Sequence, residues 1–221
     1  IVITVPGAAA AAVYSGSLSV RNSAAGCVSG VSAITVTVVS NPTITLGVNP
    51  SVCSGTASAN LTYSATTNSP DQYSIDFNGA AETAGFIDVV NSALTASPLV
   101  ITVPVAAPAA VYSGNLTVRN STTGCVGTVS AITVTVVANP TITLGANPSV
   151  CRGVTSANLT YSATTNSPDQ YSIDFNAAAN AAGFVDVVNA VLTASPIVIT
   201  VPGAAAAAVY SGSLSVRNSA A

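Results

Sequence analysis

Residues 1–25 and 197–221 are identical letter for letter, and Asn41-Pro-Thr-Ile-Thr-Leu-Gly returns at Asn139, 98 positions later. Val-Tyr-Ser-Gly occurs at Val13, Val111 and Val209. A repeat this long and faithful is a domain used as a building block, so the chain must fold one module several times. The chain opens at Ile1 and stops at Ala221, each in mid-repeat, and both ends read as edges of a window on something longer. The expected linkers are Val39-Ser40-Asn41-Pro42 and Val137-Ala138-Asn139-Pro140, where Pro interrupts strand pairing after an alternating apolar run. Three domains are expected: the C-terminal part of a repeat at 1–40, a complete repeat at 41–138, and a repeat lacking its last strand at 139–221.

Period-two alternation recurs through the unit and marks strands with one buried face. In the complete repeat, the inward positions are Ile44 and Leu46 on strand A, Leu61, Tyr63 and Ala65 on B, and Tyr73, Ile75 and Phe77 on C. Phe86-Ile-Asp-Val-Val reads as a less regular D. Leu99, Ile101 and Val103 follow on E, then Tyr112, Leu116 and Val118 on F, and Ile132, Val134 and Val136 on G. Thr102, Asn115, Thr117, Arg119, Thr133 and Thr135 fall between them, toward water. The pattern predicts an all-β chain of tandem seven-stranded immunoglobulin-like β-sandwich domains. Ala8 to Ala12 reads as a loop or single turn between E and F, because the middle repeat places Pro108 in the matching stretch. Tyr112, just after that loop, occupies the position of a corner tyrosine or an ordinary core tyrosine.

Charge is scarce: four Arg, no Lys, no His and seven acidic residues, for a net charge of −3. So few cations cannot make a nucleic-acid footprint, nor a patch for anionic membranes. Mean hydropathy is high at +0.62. No apolar run reaches the roughly 18 residues of a spanning helix, so membrane insertion is not expected. A surface of Ser, Thr and Asn repels its neighbours weakly and favours self-association with identical repeats or chains.

Without His or Lys, a Ser or Thr nucleophile lacks its usual bases. Asp71, Asp76, Glu82 and Asp88 are the carboxylates of the complete repeat, and Asp76 should lie on the outer face of C, away from any cleft. No enzyme activity, cofactor or metal is expected; the acidic residues are too dispersed for an oxygen-rich calcium cage. Asn60, Asn115, Asn120 and Asn158 begin Asn-x-Ser/Thr triplets, which arise readily in such strands. Arg119 with Asn120 could ligand a partner, although an exposed Arg laid over the sheet is commoner.

Each repeat carries two cysteines, one in Ser-Val-Cys-x-Gly (Cys53, Cys151) and one in Gly-Cys-Val (Cys27, Cys125). Without His, their wide spacing points to disulfides in an oxidising compartment. Three pairings are open: Cys53 with Cys125 inside a domain, Cys27 with Cys53 across the linker, or Cys53 with the next copy of Cys125, beyond Ala221. The first is favoured because each repeat carries its own pair. It would close a 72-residue loop and contribute about 4 kcal/mol. It requires Cys53 to sit far up strand A, because the A–B and F–G turns lie at opposite ends of a sandwich, roughly 25 Å apart. Cys27 and Cys151 then have partners outside the window.

The run Ile44-Thr-Leu-Gly-x-Asn-Pro-Ser-Val-Cys53-x-Gly55, with Asn60-Leu-Thr-Tyr, Val111-Tyr-Ser-Gly-x-Leu-Thr-Val, Gly124-Cys125-Val-Gly and Ala131-Ile-Thr-Val-Thr-Val, resembles a known repeat. It is similar to the Ig-like or PKD-like tandem repeats of giant Bacteroidota cell-surface proteins, which include type IX-secreted adhesins, gliding adhesins and surface filaments. The resemblance implies an extracellular, cell-surface location. It also implies a structural repeat of a filament or adhesin stalk; the alternative is an adhesive module that recognises a glycan or surface protein through repeated loops.

Overall fold

The computed structural model describes residues 1–219. The chain forms two compact units: one draws on Ile1–Pro50, Ala57–Pro104 and Val111–Val134, the other on Ser51–Thr56, Val105–Ala110 and the chain from Thr135 onward. At the start, β1 (Ala12–Leu18) and β2 (Ser32–Val38) make an antiparallel hairpin in which Ala12 faces Val38 and Leu18 faces Ser32. Along β2 only Ile34, Val36 and Val38 are half-buried, as alternation requires.

The middle repeat follows with β3 (Thr43–Leu46), β4 (Ser51–Cys53), β5 (Ser58–Leu61), β6 (Tyr63–Thr67), β7 (Gln72–Phe77), α1 (Gly79–Thr83), β8 (Val89–Ala93), β9 (Leu99–Thr102), β10 (Ala110–Arg119) and β11 (Ser130–Val137). One layer runs β4-β11-β10-β7-β8. The other consists of β3 on β6 and β5 on β9, with β5 and β6 the two halves of one strand broken at Thr62. The architecture is an all-β, immunoglobulin-like sandwich.

The core is where alternation put it. Leu61, Ile75, Phe77, Phe86, Leu99, Ile101, Val103, Tyr112, Leu116, Val118, Ile132, Val134 and Val136 are all buried. Phe86 anchors it, its ring 5.0 Å from Phe77 and 4.7 Å from Tyr112. The Ala run forms no helix, and β1 and β10 start at its last alanine, Ala12 and Ala110. Tyr14 and Tyr210 each donate from the phenol to a carbonyl four residues upstream, Ala10 O and Ala206 O, both at 3.0 Å. That is the corner-tyrosine bond.

Three expectations are corrected. Strand A is two strands on different sheets, because β3 pairs antiparallel with β6 while β4 pairs parallel with β11. The crossing follows a bulge at Thr45/Leu46, where the Gly47 amide donates to Thr62 O at 2.7 Å. A Cβ on Gly47 would collide with the Thr62 hydroxyl, so only glycine allows that approach. Ala65 is exposed, since the break at Thr62 carries β6 away from the core. The irregular D begins later than expected: its strand, β8, starts at Val89 and extends the sheet beside β7. It is reached through α1, which the sequence reading missed. Its signals were Asn78, whose side chain accepts from Ala81 N at 2.9 Å as an N-cap, and Gly85 at φ 98° just past its end.

The second unit repeats the plan with β12 (Thr141–Leu144), β13 (Ser156–Leu159), β14 (Tyr161–Thr165), β15 (Gln170–Phe175), α2 (Ala177–Ala181), β16 (Val187–Val191), β17 (Ile197–Thr200) and β18 (Gly212–Arg217). Among the described residues its larger sheet is β16-β15-β18. The Phe175–Phe184–Tyr210 stack matches the middle repeat, with centroids 5.1 and 4.8 Å apart.

Truncating the central ring tests this packing. Phe86→Ala should lower the unfolding free energy of its unit by about 3–5 kcal/mol, read from urea titrations against the parent chain.

Candidate interaction surface

The polar side chains that sequence reading singled out are largely engaged in holding turns. Asn120 donates through Nδ2 to Asn68 O at 3.1 Å and Ser69 O at 3.0 Å, and its Oδ1 accepts from Thr123 N at 3.0 Å. Asn68 in turn donates to Asn41 O at 2.8 Å, tying the β10–β11 turn to the Asn-Pro joint. Asn120 is therefore a turn clamp. Arg119 lies on β10 opposite Gln72. Asn60, Asn115 and Asn158 are exposed on strands.

The four carboxylates of the middle repeat are not brought together. Asp71 accepts from the Ser121 amide at 2.7 Å and from the Ser121 hydroxyl. Asp88 accepts from Phe77 N at 2.8 Å, just beyond the last β7–β8 pair, Ile75 with Val89. Asp76 is exposed on β7, as its position predicted, and Glu82 is exposed in α1. The Ser121 hydroxyl and then its amide hold the Asp71 carboxyl below the ordinary aspartate range, with a smaller contribution from Arg119. Ser219 does the same for Asp169. Among the described residues, no three Cys, Asp or Glu side chains cluster as a metal site would need.

The cysteines correct the favoured pairing. Cys27, Cys53, Cys125 and Cys151 are all free thiols. β4 pairs in parallel with the last residues of β11, with Cys53 opposite Val137, whereas Cys125 lies in the turn before Ser130. Seven residues of strand separate Ser130 from Val137, roughly 23 Å at the usual rise. Bonded cysteines need Cα atoms within about 7 Å, so this fold excludes the Cys53–Cys125 bond. Strand A reaches β11 only through β4, which carries Cys53 to the end remote from the turn.

What remains accessible is apolar and repeated. β8 is the last strand of its sheet and carries no charge; Val90 on it and Ile87 just before it are 76% and 81% exposed. Their counterparts Val188 and Val185 are 75% and 77% exposed on and before β16. Edges of this kind usually carry Lys or Pro against unwanted pairing. The second unit also holds a cleft of about 520 Å³ whose walls include Leu144, Leu159, Phe184 and Leu214. Among the described residues, no helix is long and apolar enough to cross a membrane.

No protein-family model matches the chain, and no curated protein shows significant sequence similarity to it. Among solved structures, the FN1-FN3 domains of chicken CNTN1 align over 92% of this chain and 77% of their own, at 14% identity and a TM-score of 0.36. So distant a likeness supports no inference about function.

Two outcomes follow. Because the folded pKa of Asp71 is depressed, its bonds to Ser121 stabilise the fold above the ordinary aspartate range and are lost as pH falls through the lowered value. Ser121→Ala should return the Asp71 pKa toward 3.8, measured by NMR titration of the side-chain carboxyl, and flatten the acid limb of stability. Peptide mapping of the alkylated, folded monomer should recover no Cys53–Cys125 link.

Proposed function

We propose that the chain is a non-catalytic structural repeat of an extracellular filament or adhesin stalk, in which identical modules associate along uncharged edges. One observation carries this reading: Val90 with Ile87 and Val188 with Val185 present the same exposed apolar pair at the same sheet edge in successive repeats. A shaft requires such repetition, whereas a recognition site does not. Weak mutual repulsion at a net charge of −3 assists it. A cell-surface setting accords with the resemblance to Bacteroidota surface repeats.

The loops give little support to an adhesive module. Phe77, Phe86 and Tyr112 are buried, and the loops are built from Ala, Ser, Thr and Asn.

Electron micrographs and sedimentation of the concentrated chain should show rods gathered side by side. Val90→Lys with Val188→Lys should separate them into single rods, since one buried, unpaired ammonium per edge opposes pairing. Isolated, flexible monomers at high concentration, or strong binding on a glycan array, would count against this reading.

A further inference from the structure

We infer that Asn78 is a site of spontaneous covalent modification: the Gly79 backbone nitrogen displaces its side-chain amide, leaving aspartate or isoaspartate at the start of α1. The site lies wholly within the complete repeat and owes nothing to the shaft reading above.

Asn78 is the one asparagine of the chain that is followed by glycine. Residues 77–86 read Phe-Asn-Gly-Ala-Ala-Glu-Thr-Ala-Gly-Phe, and residues 175–184 read Phe-Asn-Ala-Ala-Ala-Asn-Ala-Ala-Gly-Phe. Both segments fold alike. In each, the asparagine caps a five-residue helix, accepting from Ala81 N at 2.9 Å in α1 and from Ala179 N at 2.8 Å in α2. Gly79 is matched by Ala177 and Glu82 by Asn180. One chain therefore carries the reactive site together with its own control.

The cap bond holds the Asn78 carboxamide over the first turn of α1, which Gly79 opens. An amide in that position has no acceptor within its helix, and the Gly79 amide finds none elsewhere among the described residues. Asn78 and Gly79 are both exposed. The cap engages Oδ1 and leaves Nδ2, the departing group, free. Bringing the Gly79 nitrogen onto Cγ requires rotation of the Asn78 backbone away from its ψ of 161°. A Cβ on the following residue hinders that rotation, whereas glycine permits it. Attacking and attacked atoms then meet within one residue, without a diffusional encounter. A base is also at hand, because Glu82 Oε2 stands 4.0 Å from where a Cβ on Gly79 would be. In α2 the matching Asn180 is no base, and its Nδ2 donates to Phe175 O at 3.2 Å.

The bond from Gly79 N to Asn78 Cγ forms as Glu82 takes the amide proton. The Cγ–Nδ2 bond then breaks, and Nδ2 leaves as ammonia with that proton. Water opens the resulting succinimide at either carbonyl. Opening at Cγ gives aspartate, which keeps an oxygen for the Ala81 amide and adds negative charge where a helix start favours it. Opening at the main-chain carbonyl gives isoaspartate, whose extra backbone methylene displaces the cap between β7 and α1.

Timed peptide mapping of the folded 221-residue chain in warm, mildly alkaline buffer tests this, with enzymatic methylation of isoaspartate as a second readout. The peptide holding Asn78 should gain the mass of an amide-to-acid exchange and split into two products, while the peptide holding Asn176 stays intact. Gly79→Ala should bring conversion at position 78 down to the rate at Asn176; its fold is safe, because the second unit already has Ala177 there. Glu82→Gln should slow conversion several-fold in the folded chain and leave it unchanged in urea. Conversion at Asn78 in urea but not in the folded chain overturns the inference. Equal conversion at Asn78 and Asn176 does so too, as does a Gly79→Ala chain that converts like the parent. A folded Glu82→Gln chain that reacts at the parental rate overturns the assignment of the base.

Discussion

The seating of β11 is the interaction on which the middle repeat depends. Its Ile132, Val134 and Val136 are almost wholly removed from water, and full burial of such side chains contributes roughly 1.5–3 kcal/mol each. Its backbone meets β10 on one edge and β4 on the other. One strand thus closes the core, lengthens its antiparallel neighbour and draws strand A across to the opposite layer. The half-buried Phe175 and the 39%-exposed Leu144 of the second unit mark the same core with one wall open.

The polar residues have a different task. The scarcity of charge leaves Asn, Ser and Asp to satisfy backbone donors where strands stop pairing, and they do so in the same way in each copy. Asp88 and Asp186 both close the end of a strand pair by accepting from the amide of a phenylalanine at 2.8 Å. Tyr63 and Tyr161 both donate to a threonine carbonyl at 2.5 Å. Each module thus closes its turns and strand ends with the same side-chain bonds. Near-identity between repeats therefore has a structural cause that calls for no recognition site.

The same economy explains why the surface is the informative part. Asn120, Asp71 and Asp88 are engaged in turns and at strand ends, while unprotected edges and exposed apolar pairs are left outside. Edge strands without lysine are a hazard in a monomer, and under the proposed shaft reading they serve as joints. Association by backbone pairing needs no special residues, which suits a chain whose loops are Ala, Ser, Thr and Asn.

The amino-acid sequence alone determined the repeat, the all-β class and the inward residues of strands C, E, F and G; it left the corner tyrosine open between a corner and a core role. Each of these is local: side chains alternate with a period of two wherever a strand forms, and identical letters fold alike. Tertiary structure decided which strand joins which edge. It split strand A between two layers, placed β8 beside β7, and set Cys53 against the far end of β11 from the Cys125 turn. Alternation says which face of a strand is buried but carries no record of its backbone partners. Those are chosen by which arrangement closes the core, and that choice is made only when distant segments meet.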